Sequence, residues 1–288
     1  MSFGVQLGLL LALATALASV VGFLYKHRGA VESPPVEARR PVSTSLALFR
    51  SRWYTIGILI ATASWGLHVA ALALAPISLV QSVIAGGLVL LTVVADRLFG
   101  LHVTRREWIG VALTAAGLAT LAATLHGTGD SAHGDWEALR LAVDVGIGTV
   151  AGLLLVPLAG RHAQREGVLL AVSAGLLWGA SDVTIKALSG RLGDLGAGVL
   201  IHPLAPVIAL LSLAGLLVSA RSLQIGPPVP VIAATSATAN VFTIAAGPIV
   251  FQEPLPDDAL GLALRILAFG VVVFAAALTS PRLAARPV

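Results

Sequence analysis

The sequence contains no cysteine, only one methionine and only two lysines among its 18 basic residues. Without cysteine the chain can form neither disulfides nor thiolate metal sites. Charged residues make up 11% of the 288 positions, whereas soluble domains contain about 25%. The hydrophobic fraction is 57% and the mean hydropathy is +0.93, which leaves little sequence for a soluble domain. The composition therefore predicts a polytopic membrane protein whose first partner is the lipid bilayer. The basic excess does not indicate nucleic-acid binding, because it lies in short loops between apolar segments.

Nine apolar segments have about the length needed to cross a bilayer as helices, since roughly 20 residues span about 30 Å. They cover residues 4–24, 53–75, 77–95, 108–125, 139–159, 167–188, 198–220, 229–250 and 259–279. The one long polar interval, 25–52, is typical of a loop. The first six residues hold no Lys or Arg, so we expect a first membrane helix there rather than a signal peptide. The predicted fold is an all-α membrane helix bundle with about nine transmembrane helices.

The distribution of basic residues between alternate loops predicts the orientation of the chain. One side collects 14 of the 18 basic residues, and cytoplasmic loops carry such an excess. This predicts a multi-pass protein of the inner (plasma) membrane with its N-terminus outside and its C-terminus in the cytoplasm. The basic residues on that side are Lys26, Arg28, Arg39, Arg40, Arg50, Arg52, Arg97, Arg105, Arg106, Arg161, Arg165, Arg221, Arg282 and Arg286.

The nine segments also divide into two similar halves within one domain, 1–288. Residues 4–125 match residues 167–279, and 139–159 form a linking helix between them. Segments 1 and 6 each end near a lysine, Lys26 and Lys186. Segments 3 and 8 each follow a proline-containing turn. Because one odd helix separates the halves, the second four-helix unit is inverted, and inverted repeats are typical of carriers with a substrate site near the membrane midplane.

The strings ALALAPISLVQSV and GVALTAAGLATL in the first half, and LLAVSAGLLWGASDVTIKAL in the second, resemble the drug/metabolite transporter superfamily. Within this EamA-like superfamily, the chain is most similar to the NIPA-type magnesium transporter branch. The resemblance implies a membrane transporter for a small molecule or ion. Where that branch has an acidic residue and an asparagine in its second helix, Trp65 and His68 align here. Because Mg²⁺ prefers carboxylate and water oxygens, this departure weighs against magnesium as the substrate.

Four ionisable residues lie inside the predicted helices. Asp182 and Lys186 are four positions apart, so they share a helix face and can pair. Asp144 and Arg265 lie at a similar predicted depth. Intramembrane charges are costly and usually functional. We therefore expect these four to form either a charge network at an outer gate or a static contact that fixes helix packing.

A second group of residues is predicted to line the substrate pathway near the midplane. Trp65 and His68 share one face of segment 2. A tryptophan face can hold an organic cation and a histidine can couple transport to protons, although both residue types also occur as plain packing residues. Asn240 needs a hydrogen-bond partner at its depth in the membrane. The full set of candidate pathway residues is Trp65, His68, Gln81, Trp178, Ser181, Asp182 and Asn240.

These features favour a secondary-type transporter that moves a small metabolite or organic cation by alternating access, with a proton or ion as coupling partner. The alternative is a magnesium or other divalent-cation transporter. The remote alternatives are an intramembrane enzyme, for which no catalytic motif is present, and a membrane scaffold. No cofactor or tetrahedral metal site is expected, although His126, Asp130, His133 and Asp135 can gather a cation at an outer loop. The sequence sets no oligomeric state and is compatible with a homodimer.

Overall fold

A computed structural model describes residues 2–36, 46–86, 104–123, 134–161, 165–255 and 258–279. In this part of the chain the secondary structure is entirely helical, so the predicted all-α bundle is confirmed. We label the long helices and the described part of segment 3 in chain order. They are α1 Phe3–Val31, α2 Arg52–Leu74, α3 Ile77–Gly86, α4 Arg105–Ala123, α5 Ala138–Ala159, α6 Glu166–Ser189, α7 Leu204–Ile225, α8 Pro228–Val250 and α9 Ala259–Thr279.

Each of the nine predicted segments overlaps one of these helices, and six of the helices are long and apolar enough to cross a membrane. These six are α1, α2, α5, α6, α7 and α8. Residues 87–103, which include the end of predicted segment 3, lie outside the described residues. The chain is thus a multi-pass helical membrane protein, and the count of nine spans stays a prediction.

Two helix boundaries differ clearly from the sequence prediction. Helix α1 continues to Val31, although the first apolar segment was expected to end at residue 24. Gly29 near its end lies so close to the backbone of Tyr54 that a Cβ would not fit, so close packing against α2 extends this helix beyond the apolar run. Helix α7 begins at Leu204 rather than near residue 198, because Pro203 occupies its N-cap.

Helices α6 and α8 form the centre of the bundle. About two thirds of the apolar window of α6 is buried, against 17% for α5 and 22% for α7. Outward-facing side chains of α5 and α7, such as Leu154 and Leu210, are 65% and 68% exposed. Exposed leucines of this kind are suited to lipid contact, because lipid tails are as apolar as they are. Helix α6 packs on α2, α5, α7 and α8, so the helix that carries Asp182 and the buried Lys186 is central.

The helix contacts within the two predicted four-helix units, called the halves below, correspond in pairs. Helix α1 packs on α2 as α6 packs on α7, and α1 packs on α3 as α6 packs on α8. Likewise α3 packs on α4 as α8 packs on α9. The halves meet through α3–α8, α4–α9 and the corresponding pairs α1–α7 and α2–α6. This pattern leaves α2 and α7 on opposite sides of a gap that contains the candidate site.

Candidate functional site

A cavity of about 680 Å³ lies between α2 and α7, and α1, α3, α6 and α8 complete its wall. It extends from Lys26, near the end of α1, to Leu192 and Leu200 in the connection after α6. These two borders lie near opposite ends of α7, so the cavity runs along much of the bundle. All seven candidate pathway residues line it: Trp65, His68, Gln81, Trp178, Ser181, Asp182 and Asn240.

Among the described residues that line this cavity, Asp182 is the one with an acidic side chain. The Nε2 atom of His68 lies 3.2 Å from Asp182 Oδ1, and the Nε2 amide of Gln81 donates a hydrogen bond of 3.2 Å to Oδ2. The His68 and Gln81 side chains are almost completely buried, whereas the Asp182 side chain is 19% exposed. Residues from α2 and α3 therefore orient a carboxylate of α6 that still reaches the cavity.

The end of the cavity near the end of α1 carries a positive charge, which lies against two aromatic rings. The ammonium nitrogen of Lys26 lies 4.0 Å from the ring centroid of Phe23 and 5.3 Å from that of Trp178. The two rings are themselves in contact, with centroids 5.5 Å apart. A cation near a ring face is attracted by the ring quadrupole, so this aromatic pair is already occupied by a cationic side chain. The tryptophan face predicted to hold an organic cation is thus shared with Lys26.

Lys26 and Phe23 were missed as site residues because the first membrane segment was expected to end before Lys26. A usable signal was present, since Lys26 is one of two lysines in the chain and lies three positions after an aromatic residue. Side chains three apart on a helix are neighbours, so a helix that continued through Lys26 would have predicted this contact.

Hydroxyl groups line the middle of the cavity and join neighbouring helices. Ser19 of α1 and Ser64 of α2 lie 2.7 Å apart through their Oγ atoms. Ser181 of α6 and Ser212 of α7 are joined in the same way at 2.9 Å. Asn240 of α8 is 2% exposed, and its amide nitrogen has no hydrogen-bond partner among the described residues. The cavity therefore contains an unused donor at the predicted depth of the site.

The four predicted network residues have different surroundings. Asp182 reaches the cavity, while the Lys186 ammonium donates two hydrogen bonds of 2.8 Å to the carbonyl oxygens of Leu72 and Ala75. Arg265 is 4% exposed and interacts electrostatically with Glu253. Asp144 is partly buried, and within the described residues its Oδ2 has no hydrogen-bond partner. The expectation of one shared network of these four residues stays a prediction.

Glu253, which lies between the predicted segments 229–250 and 259–279, is the acid near both Lys186 and Arg265. It is 2% exposed, interacts electrostatically with both cations, and accepts hydrogen bonds from the backbone N–H and the hydroxyl of Ser78. Ser78 lies in the first turn of α3, where a carboxylate is favoured by the helix dipole. This buried acid therefore joins α3, α6 and α9.

The local backbone explains why Glu253 turns inward. Gln252 has a φ of 52°, the left-handed conformation that side chains rarely adopt. The chain consequently turns back on α8, and the Glu253 N–H donates to the carbonyl of Gly247 at 3.1 Å. Gly247 lies directly against the Glu253 carboxylate, so a side chain there would displace it. No periodicity signal in the sequence marks a turn of this kind.

The halves also contact each other through basic side chains at helix ends. Lys186 of α6 binds carbonyls at the end of α2, as described above. His27 of α1 places Nδ1 3.1 Å from the carbonyl oxygen of Leu223, near the end of α7. The last carbonyls of a helix lack intrahelical donors and favour positive charge. The first helix of each half thus caps the second helix of the other half.

These two caps occupy corresponding positions. Gly8 packs against Ala75 at the end of α2, and Gly167 packs against Gly226 at the end of α7. The 19 positions between Gly8 and His27 equal those between Gly167 and Lys186. In its contacts, His27 thus resembles Lys186 more closely than does the adjacent Lys26, on which the predicted correspondence of the two units was based.

The outer-loop cation hypothesis lies mostly outside the described residues, which include Asp135 but not His126, Asp130 or His133. Within the described ranges, no group of three or more His, Cys, Asp or Glu side chains is arranged to hold a metal ion. For the candidate site, Asp182 and His68 are the potential metal ligands that line the cavity.

No family model and no solved structure matches the chain. The chain is 26% identical over 294 aligned residues to the probable magnesium transporter NIPA9 of Arabidopsis thaliana. The alignment covers 95% of this chain and 82% of that protein. Over nearly all of its length, the chain is thus similar to a membrane transporter, and the similarity agrees with its multi-pass helical fold.

Proposed function

We propose that the protein is a secondary-type membrane transporter that moves a small metabolite or organic cation through the cavity between α2 and α7. The observation that carries the proposal is the Asp182 carboxylate, which accepts a hydrogen bond from Gln81, lies 3.2 Å from His68 Nε2 and is exposed to a cavity of about 680 Å³. That volume lies in the range of 300–1,000 Å³ typical of small-molecule sites. The similarity to a plant transporter supports a transport role.

The charges of the cavity favour a substrate with both a cationic and an anionic group. Asp182 is suited to a substrate ammonium, and Lys26 to a substrate carboxylate or phosphate. The unused amide donor of Asn240 offers a third polar contact. Most of the remaining wall is apolar, as in sites that bind organic molecules.

Alternating access would arise from motion of one four-helix unit, 4–125, against the other, 167–279, around the linking helix 139–159. The paired helix contacts and the reciprocal caps at Lys186 and His27 support this proposal. Inverted units of this kind expose a midplane site to either side by rocking. In this proposal, proton coupling acts at the His68–Asp182 pair, and the basic loops keep the N-terminus outside the plasma membrane.

The second candidate function is magnesium transport, which is favoured by the similarity to a probable magnesium transporter of a plant. The cavity supports it less well, because Mg²⁺ demands near-octahedral oxygen coordination and dehydrates reluctantly, whereas most of the cavity wall is apolar and Lys26 adds a positive charge. Among the described lining residues, Asp182 is the one that offers a carboxylate to a magnesium ion.

Transport assays in proteoliposomes distinguish the two candidates. We expect saturable uptake of radiolabelled amino acids, used as zwitterionic probes, or of choline, used as a purely cationic probe. Trp178→Ala should raise the KM for the amino-acid probes, because Trp178 helps to position the Lys26 ammonium that is suited to their carboxylate, and an aromatic contact with a desolvated cation is worth about 2 kcal/mol. Saturable Mg²⁺ uptake, followed with a trapped fluorescent indicator, together with no organic flux would favour the second candidate. If none of these fluxes exceeds that of empty liposomes, this transport proposal is wrong.

A further inference from the structure

A second cavity, of about 520 Å³, lies where the end of α1 meets the start of α2. Its wall is mainly polar, unlike that of the central cavity. It lies on the side that the basic loops predict to be cytoplasmic. The described residues that line it are Arg28, Glu32, Ser33, Pro34, Ala47, Arg50, Ser51, Arg52 and Trp53.

Positive charge exceeds negative charge in this cavity. Arg28 forms a salt bridge of 3.5 Å with Glu32, and both side chains are about half exposed. Glu32 is the one acidic residue among the described residues that line the cavity, and it pairs with Arg28. The positive charges of Arg50 and Arg52 therefore remain in excess. The guanidinium groups of Arg28 and Arg52 also lie 4.0 and 4.8 Å from the ring centroid of Trp53, which holds them in place.

The start of α2 adds hydrogen-bond donors to the same cavity. Ser51 is the N-cap of this helix, yet its side chain caps no backbone N–H. Its Oγ is buried and has no hydrogen-bond partner among the described residues. The first-turn N–H groups of a helix have no intrahelical acceptor and favour negative charge. Guanidinium and hydroxyl groups therefore border one space at the start of a helix.

We propose that this cavity binds a phosphate group, either of an anionic lipid headgroup or of a soluble phosphate compound. A phosphate offers several acceptor oxygens, and planar guanidinium groups bind such oxygens in pairs. The stacked rings of Tyr25 and Trp53, with centroids 5.6 Å apart, are typical of the membrane interface. Basic pockets between transmembrane helices at this level are suited to anionic lipid headgroups.

Binding of phosphatidylglycerol to the purified full-length protein tests this proposal by native mass spectrometry. Phosphatidylcholine, which has no net charge, is the lipid control, and inorganic pyrophosphate is the soluble probe. The double variant Arg50→Gln/Arg52→Gln removes the excess positive charge at two exposed positions. We expect its apparent Kd for phosphatidylglycerol to rise at least tenfold. Arg161→Gln, at an exposed arginine on the same predicted side, should leave that Kd unchanged.

The two sources of phosphate give different results. The cavity binds lipid if the glutamine variant loses phosphatidylglycerol binding while the wild type binds no pyrophosphate. It binds a soluble compound if the wild type binds pyrophosphate and the glutamine variant does not. The variant Arg50→Lys/Arg52→Lys should bind better than the glutamine variant, because charge is kept. A monodisperse size-exclusion profile excludes misfolding. The proposal is overturned if neither probe distinguishes the glutamine variant from the wild type.

Discussion

Replacing Asp182 by Asn is expected to reduce transport at least tenfold in proteoliposomes. The change keeps the size of the side chain and an acceptor for Gln81, but it removes the charge that faces the cavity. A hydrogen bond to a charged group contributes about 1.5–3 kcal/mol, and each 1.4 kcal/mol corresponds to a tenfold change in affinity. The measurement is the initial rate of uptake as a function of substrate concentration, and the main effect should be on KM.

The matched control is Asp194→Asn, which removes the same charge from an exposed position in the connection between α6 and α7. This control should leave the uptake rate unchanged. Both variants should unfold at the same temperature as the wild type. Uptake by Asp182→Asn at the wild-type rate would show that this carboxylate contacts no substrate, and the proposed pathway would then lack its central residue.

Among substitutions of an acidic residue by its amide, Glu253→Gln is expected to give the largest loss of stability. The carboxylate is buried between Ser78, Lys186 and Arg265, so its removal leaves two buried cations without their shared counter-charge. Breaking a buried ion pair from one side costs about 3–5 kcal/mol. Thermal unfolding of the purified protein in detergent measures the effect as a lower unfolding temperature.

Glu137→Gln is the matched control, because Glu137 pairs with Arg140 at 2.9 Å while both side chains are about half exposed. Exposed ion pairs contribute about 0–1 kcal/mol, so this variant should unfold close to the wild type. If Glu253→Gln unfolds at the same temperature as Glu137→Gln, the contacts of Glu253 do not stabilise this end of the bundle.

The sequence predicted the apolar helices and several residues of the cavity wall because both depend on simple rules. Charged residues inside an apolar segment must face protein or water, so Asp182 was expected at a polar contact or on the substrate pathway. Likewise Trp65, His68 and Asn240 were selected as polar or amphipathic groups deep in apolar segments, and the structure brings them to one cavity. Their role in binding stays a prediction.

Other features depend on contacts between distant parts of the chain. Lys26 was expected in a loop because hydropathy ended the first helix too early, whereas packing of Gly29 on Tyr54 continues it. The inward turn of Glu253 depends on the left-handed backbone at Gln252. Neither the helix–helix contact nor the backbone angle leaves a periodic signal, so composition and spacing could not have predicted them.

The most direct test of the proposed pathway uses the absence of cysteine from the chain. In this background, Ser236→Cys introduces one thiol into the cavity wall, and Ser173→Cys makes the same change at a side chain with 0% exposure that donates a hydrogen bond to the Gly152 carbonyl. We expect a membrane-impermeant methanethiosulfonate reagent to label position 236 in intact proteoliposomes, to block uptake, and to leave position 173 unlabelled. Equal labelling of the two positions, or labelling at 236 with normal uptake, would contradict a transport pathway through this cavity.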